Sequence, residues 1–497
     1  MTREDLLLSR LERYVASDAA PMHMPGHKRR MDRAEIAAFP NPFAIDITEI
    51  DGFDNLHHPE GILKDSMAWA ASVYGSDRTW YLVNGSTAGV LGAIHAAADG
   101  KILMARNSHK SAYYAVILNR RPVCYVYPQT IDKWGINGGI SAEDVEQILA
   151  GDTKISAVFL TSPTYEGVVS DVRAIAEAAH RHGVPLIVDE AHGAHLPFRP
   201  GICGKLSPTG PAGGTFPESA LSCGADVVIQ SLHKTLPSLT QTAVLHLKGE
   251  RIDERRLERY LQMFQSSSPS YVFMASIERC IYGMWKHGVR ELEAFAGRLE
   301  RIRERLEPLQ NLRLAGREWV GKRAVFAVDP SRIVVSCRAC FPAADGDQAV
   351  TGERLGQWLR EEYHIEVEMC GADYVVAITT FMDRQEHLDR LADAFLEIDR
   401  RLVRASADDA CEMAFPVAEP VWEMADALSE NGETVQLEAC LGRVCAEFVY
   451  IYPPGIPILA PGERVTPAAF AVLKHYRKIG LPLKGMADPA GRFIRVI

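Results

Sequence analysis

The chain has 497 residues, 47% of them hydrophobic and 24% charged, with a formal net charge of −10. Such a length exceeds what a single core serves, so two or more domains are expected, and the balance excludes a disordered or fibrous chain. No apolar run reaches the ~18 residues that cross a bilayer, MTREDLLLSRLERYV lacks a signal-peptide pattern, and the acidic balance disfavours nucleic acid while suiting a cationic small molecule.

From about Arg78 short apolar runs alternate with helical stretches. TWYLVN (79–84) precedes a small-residue helix over 86–98, and KILMA (101–105) precedes a helix through Ile117. PVCYVY (122–127), a capped helix opening at SAED (141–144), SAVFLT (156–161), DVRAIAEAAHRHG (171–183) and PLIVDEAHG (185–193) continue the alternation. ADVVIQS (225–231) and TAVLHL (242–247) read as two further strands, and 204–219 as a long loop between them and the earlier units. Strands separated by amphipathic helices predict βαβ units and a mostly parallel sheet covered on both faces. Ligands of such sheets sit beyond the carboxyl ends of the strands. A helix over 271–306 is expected to lead out of the sheet domain, followed by shorter elements that include RIVVSC (332–337) and YVVAIT (374–379), and by a linker at 403–415. The predicted division is an arm at 1–40, a large domain at 41–308, a small α+β subdomain at 309–402 and a C-terminal domain at 403–497. Ten scattered cysteines form no disulfide framework, which points to the reducing cytoplasm.

Four post-strand motifs carry chemistry. NGSTAG (84–89) offers Gly85 for a tight turn, with the hydroxyls of Ser86 and Thr87 beside a helix N-terminus, an anion cradle suited to phosphate. RNSHKSA (106–112) sets His109 over the carboxyl edge. VDEAHGAH (188–195) ends a buried strand in Asp189, whose carboxylate needs a cation or a hydrogen-bond donor. QSLHKTLPSLTQ (230–241) places Lys234 at another strand end, where desolvation makes an amine nucleophilic. Taken singly, each motif also reads as a helix cap or a surface side chain. Other readings fail: the Mg²⁺ box of an NTPase would need a P-loop upstream, whereas Gly316 to Arg323 misses that pattern at one residue, Arg323 in place of the metal-binding hydroxyl, lies downstream and follows no clear strand. His192 and His195 lack a third zinc ligand, and Cys337 with Cys340 is a lone CxxC in a core context, so no metal is expected. Phosphate cradle, stacking His, strand-end Asp and later strand-end Lys are together what pyridoxal phosphate requires.

With PMHMPGHK (21–28), DITEIDGFDNLHHPEG (46–61), TSPTYEGVVSD (161–171), SSSPSY (266–271) and YPPGIPILAPGE (452–463), these motifs resemble the bacterial ornithine/lysine/arginine decarboxylases of the fold-type-I pyridoxal phosphate class, in the short form close to biosynthetic arginine decarboxylase. The resemblance implies an α/β large domain with a mostly parallel sheet and smaller α+β C-terminal domains. It implies Lys234 as the cofactor-bearing lysine, Asp189 as the partner of the ring nitrogen, and Ala191 and His109 against the two ring faces, with Ser86, Thr87, Ser231 and His233 on the phosphate and His192 also beside the cofactor. His233 or Lys234 would return the proton to Cα. It further implies active sites at a homodimer interface reached by SSSPSY, and no N-terminal regulator-like domain, since PGHK begins at Pro25. A cationic substrate wants carboxylates, for which Glu463, then Asp54 and Glu60, are candidates, each equally readable as a loop cap. Arginine is favoured as substrate, with lysine or ornithine next, in polyamine biosynthesis. The alternatives are an aminotransferase or aldolase on the same fold, or a catalytically silent regulator.

Overall fold

The computed structural model describes residues 7–30, 32–37, 39–131, 134, 136–200, 216–343, 348–405, 416–451, 456–478 and 483–497. The loop expected at 204–219 lies outside the described residues up to 215, as do the expected linker from 406 to 415 and the YPPG of the last motif, 452–455.

Seven strands form the central sheet: β1 (Arg78–Leu82), β2 (Lys101–Ala105), β3 (Val123–Val126), β4 (Ile155–Thr161), β5 (Leu186–Asp189), β6 (Val227–Gln230) and β7 (Ala243–Leu247). Their order is β1-β7-β6-β5-β4-β2-β3. All run parallel except β7, which is antiparallel to both of its neighbours. The exception has a simple cause. Among residues 231–242 the only helix is the short Leu232–Thr235, and a parallel return needs a longer crossover. That same short connection carries Lys234. Strands β5 and β6 are buried at every position, as a sheet covered on both faces requires. Helices α1 (Gly85–Ala97), α2 (Lys110–Asn119) and α3 (Val172–Arg181) supply part of that cover. Asp171 caps α3 by accepting from Ala174 N at 3.0 Å, and Gly183 at φ +72° turns the chain after it.

Helix α4 (Tyr271–Leu306) leads to a second, antiparallel sheet of β8 (Arg313–Leu314), β9 (Arg332–Ser336), β10 (Met369–Cys370) and β11 (Tyr374–Ile378), in the order β8-β9-β11-β10. This unit has its own core around Ile333, Val335, Leu359 and Phe395. Ala20 and Met22, from the segment expected to be an arm, belong to that core, and Ala20–Met22 pairs in parallel with Ile365–Val367. A third core, including Leu437, Val449, Leu473 and Val496, organises the C-terminal residues.

The N-terminal loop locks the small unit onto the large one. Gly26 N donates to His233 O at 2.7 Å, and a Cβ on Gly26 would stand 2.7 Å from the Leu236 nitrogen and the Thr235 carbonyl carbon. Two residues on, Lys28 is buried with Nζ donating to the carbonyls of Pro21 (3.0 Å), His23 (2.8 Å) and Ile378 (2.7 Å). Asp383 lies 3.9 Å from the same ammonium. Lys28→Met strips partners from three carbonyls and a buried carboxylate, so it should cost about 3–5 kcal/mol, read as a lower urea midpoint at unchanged slope.

Candidate active site

The carboxyl edge of β4, β5 and β6 gathers the chemistry. Asp189 ends β5 in register with Thr161 of β4 and Ile229 of β6. It is 4% exposed, and its Oδ1 accepts from Ala191 N at 3.1 Å. Burial pushes its carboxyl up, and the Lys234 cation opposes the shift. Behind it Glu190 accepts from Ser219 Oγ (2.8 Å), Ala220 N (2.7 Å) and Gln230 Nε2 (2.6 Å), while burial pushes it up to about 7.

Lys234 sits in the helical turn after β6, half-buried, with Nζ 3.0 Å from His192 Nε2. Desolvation lowers its pKa, and Asp189 and Glu368 only partly offset this. His192, immediately after Ala191, lies 4.5 Å from the Tyr165 ring. His109 is the N-cap of α2, where its Nδ1 accepts from Ser111 N at 3.3 Å. Burial, then the Lys234 and Lys110 cations, pushes it down to about 4. His233 donates through Nδ1 to Thr242 O at 2.9 Å and is pushed down to about 4, chiefly by burial. Both imidazoles are therefore neutral near pH 7.

At the start of α1, Gly85 turns at φ +74°. Asn84 makes no side-chain cap bond to the helix, because its Oδ1 accepts from Ser266 N at 3.1 Å. The first-turn amides beside Ser86 and Thr87 thus remain uncapped by that side chain, as an anion cradle needs.

The chain matches the Orn/Lys/Arg decarboxylase major domain over residues 6–387 and the C-terminal domain of the same family over 403–482. It belongs to the Orn/Lys/Arg decarboxylase family. Arginine decarboxylase of Bacillus subtilis is 31% identical over 99% of this chain and 98% of that protein. The constitutive lysine decarboxylase of Escherichia coli is 24% identical over 86% of this chain and 69% of the other. The structure of lysine decarboxylase A from Pseudomonas aeruginosa superposes with a TM-score of 0.72 at 18% identity, covering 91% of this chain and 74% of that one. The fold is that of the fold-type-I pyridoxal phosphate enzymes, and the chain is a decarboxylase of basic amino acids that uses this cofactor.

The residues of this decarboxylase fit the group. Ser231 Oγ and Thr235 Oγ1 flank the Lys234 turn, and Thr161 Oγ1 stands at the end of β4 beside Asp189; all three are buried atoms without a protein partner. A phosphate and a ring hydroxyl are groups that would satisfy such hydroxyls. Lys234, His192, Asp189, Ala191, His109, His233 and Ser231 therefore converge, with Ser86 and Thr87 at the adjoining helix start.

The candidates for the cationic end of a substrate do not converge in this way. Both oxygens of Glu463 are taken by the fully buried Arg106, at 2.8 and 2.9 Å, and Ala460 N donates to Oε2 at 2.8 Å. Asp54 accepts from the backbone amides of Asn55, Glu60, Gly61 and Leu63. Desolvation works against it, yet these donors hold its carboxyl at about 2. Glu60 is exposed. His195, weighed on sequence as a metal ligand, lies 3.4 Å from Asp329, and Cys337 and Cys340 are buried in the small unit's core.

Three residues escaped sequence reasoning: Arg332, which donates to His192 O at 2.8 Å, Glu368, and Tyr165, whose hydroxyl donates to Glu368 at 2.6 Å. Only the motif TSPTYEG held a signal, and it pointed to Tyr165 without a role.

Histidines whose folded pKa is depressed bind fewer protons folded than unfolded, so stability is present above the unfolded value near 6.5 and is lost as pH falls toward 4. In the cofactor-free protein His109→Phe should flatten the slope of stability against pH in that window by up to about 1.4 kcal/mol per pH unit, measured by urea unfolding at pH steps.

Proposed function

We propose that the decarboxylase converts arginine to agmatine and CO₂, in polyamine biosynthesis, with lysine and then ornithine next in rank. Support for the substrate is the near-complete match to an arginine decarboxylase, against a partial and more distant one to a lysine decarboxylase. The reaction rests on one observation above all: an amine lowered in pKa, Lys234, at a sheet edge within reach of His192 and under the charge of the buried Asp189.

In this reading Lys234 carries pyridoxal phosphate, Asp189 faces its ring nitrogen, and Ala191 and His109 enclose the ring. Ser86, Thr87, Ser231 and His233 hold the phosphate with the first-turn amides of α1. Bound there, the cofactor supplies a sink for the electron pair released when the bond from Cα to the carboxylate breaks. The neutral His109 covers one ring face and adds no competing charge. His233 spends its Nδ1 proton on Thr242 O, so we assign return of the proton at Cα to Lys234 Nζ, with His192 Nε2 as its hydrogen-bond partner. Arg332 donates to Ser331 Oγ and His192 O and lies 3.5 Å from Asp329. An arginine so engaged fits a site that holds a departing carboxylate loosely, and it disfavours the aminotransferase reading.

For the guanidinium end we retain Glu60 and add Glu368. Asp54 is saturated by four amides and Glu463 by Arg106. Glu368 is half-buried and accepts from Met24 N (2.8 Å) and Tyr165 Oη (2.6 Å), leaving about half of its acceptor capacity for a cation.

We place the enzyme in the cytoplasm as a homodimer. The eight described cysteines are all free thiols, as a reducing compartment maintains. No helix among the described residues is long and apolar enough to cross a membrane. Ser266–Ser268 is exposed beside α1, while Phe53 and Met263 on adjoining segments are 45% and 64% exposed, the kind of surface a second copy would cover.

Incubation with arginine, lysine and ornithine separately should release CO₂ fastest from arginine, with agmatine as product; faster cadaverine or putrescine formation overturns the ranking. Lys234→Ala should lose both the visible absorbance of the bound cofactor and CO₂ release. Persistence of both would remove Lys234 from its role.

A further inference from the structure

Arg332 opens β9 and is 1% exposed. Its Nη2 donates to His192 O at 2.8 Å and lies 3.4 Å from His192 Nδ1. Its Nη1 donates to Ser331 Oγ at 2.8 Å and stands 3.5 Å from Asp329 Oδ2. The approach depends on Gly167, where a Cβ would meet Arg332 Cγ at 2.8 Å. The guanidinium is therefore fixed from one side and aimed at the DEAHG turn from the other.

A guanidinium has donors only, so the imidazole nitrogen that faces it is the unprotonated one. In a neutral His192 the proton is then on Nε2, the atom 3.0 Å from Lys234 Nζ. An Nε2–H can only donate. To accept it Nζ must offer a lone pair, which an ammonium does not have. We propose that Arg332 is a positioning residue that fixes His192 as its Nε2–H tautomer, and that His192 in turn holds Lys234 as a neutral, nucleophilic amine.

The surroundings agree. Burial keeps His192 neutral, and the Arg332 charge acts in the same direction. Around Lys234 itself, burial and Arg332 favour the neutral amine, whereas Asp189 and Glu368 favour the ammonium. His109 and His233, neutral near pH 7, complete the groups that face it. Two carboxylates thus pull Lys234 toward its charged form, and the Arg332–His192 contact supplies a directed bond that only the amine can make.

The inference rests on Lys234 as the residue that captures the cofactor, and its test needs no amino acid substrate. Covalent capture of pyridoxal phosphate by the cofactor-free protein, followed by visible absorbance across pH, reads the neutral fraction of Lys234. Arg332→Met should move this profile up by about one pH unit, a roughly tenfold slower capture at pH 7.5. His192→Phe should move it in the same direction, and the double variant clearly less far than the two single shifts added, because Arg332 acts mainly through His192. An unmoved profile in Arg332→Met overturns the inference. So does an Arg332→Met shift that persists undiminished in the His192→Phe background, since bare charge would then suffice. If Arg332→Met does not fold by circular dichroism, Arg332→Gln, which keeps a donor toward His192 O, takes its place in the same cycle. Covalent capture by Lys234→Ala would instead overturn the assignment of Lys234, and the two failures are told apart by that variant alone.

Discussion

Everything around the site answers to one constraint: an amine must be buried at the edge of a parallel sheet without becoming an ammonium locked to a carboxylate. Desolvation supplies most of this, and it requires walls. The sheet gives one wall through β4, β5 and β6. The small unit gives another, carrying Arg332 and Glu368, and the N-terminal loop closes against the Lys234 turn through Gly26, where even a methyl group would collide. Lys28 secures that loop by donating to carbonyls from both the loop and β11. The buried cation of Lys28 thus serves packing, while the lysine of the site is kept short of a matched partner. Two lysines in one protein take opposite roles because their partners differ: the buried Lys28 donates to three carbonyls beside Asp383, whereas Lys234 faces the imidazole of His192.

The large domain was legible because a sheet covered on both faces turns its strands into apolar runs that sequence shows directly. KILMA is β2 residue for residue, and α4 begins and ends where its pattern does. The strand-end residues Asp189 and Lys234 could be found for the same reason, since the end of a run marks the edge of a sheet. The direction of β7 was not legible as such, because it depends on how few residues connect it to β6. Arg332 was invisible for a different reason. It meets His192 across 140 positions of sequence, and nothing local in RIVVSC distinguishes a core-edge arginine from a solvated one. Its neighbour Ser331 and the acceptor Asp329 are ordinary turn residues until the fold brings His192 above them.

Glu463 shows where motif reasoning ran past its warrant. A glutamate inside a long, distinctive motif beside a cationic-substrate site invites assignment to that substrate. Arg106 opens the RNSHKSA motif, ahead of His109, but no local pattern joins 106 to 463. The fold does, with two parallel hydrogen bonds of 2.8 and 2.9 Å in a place from which both side chains are excluded from water. The Arg106 guanidinium also lies 4.7 Å from the Tyr125 ring centroid and donates to Ile458 O at 3.2 Å, so the charges are matched in geometry as well as in sign.

A buried pair of this kind adds little net stability over apolar residues of the same shape, because two desolvation costs stand against one attraction. What it adds is selectivity of arrangement: any shift of the C-terminal turn at 458–463 relative to the end of β2 would leave a charge alone in the core. Arg106 immediately follows β2, and a short step later His109 caps α2. The C-terminal residues at 458–463 are thereby tied to the segment that leads to His109. The same logic operates on the other side of the cleft, where Asp329 and Ser331 fix Arg332, and Arg332 fixes His192. In both places an ionic group remote in sequence is tied to the segment that carries a neutral imidazole, the one leading to His109 on one side and the His192 turn on the other.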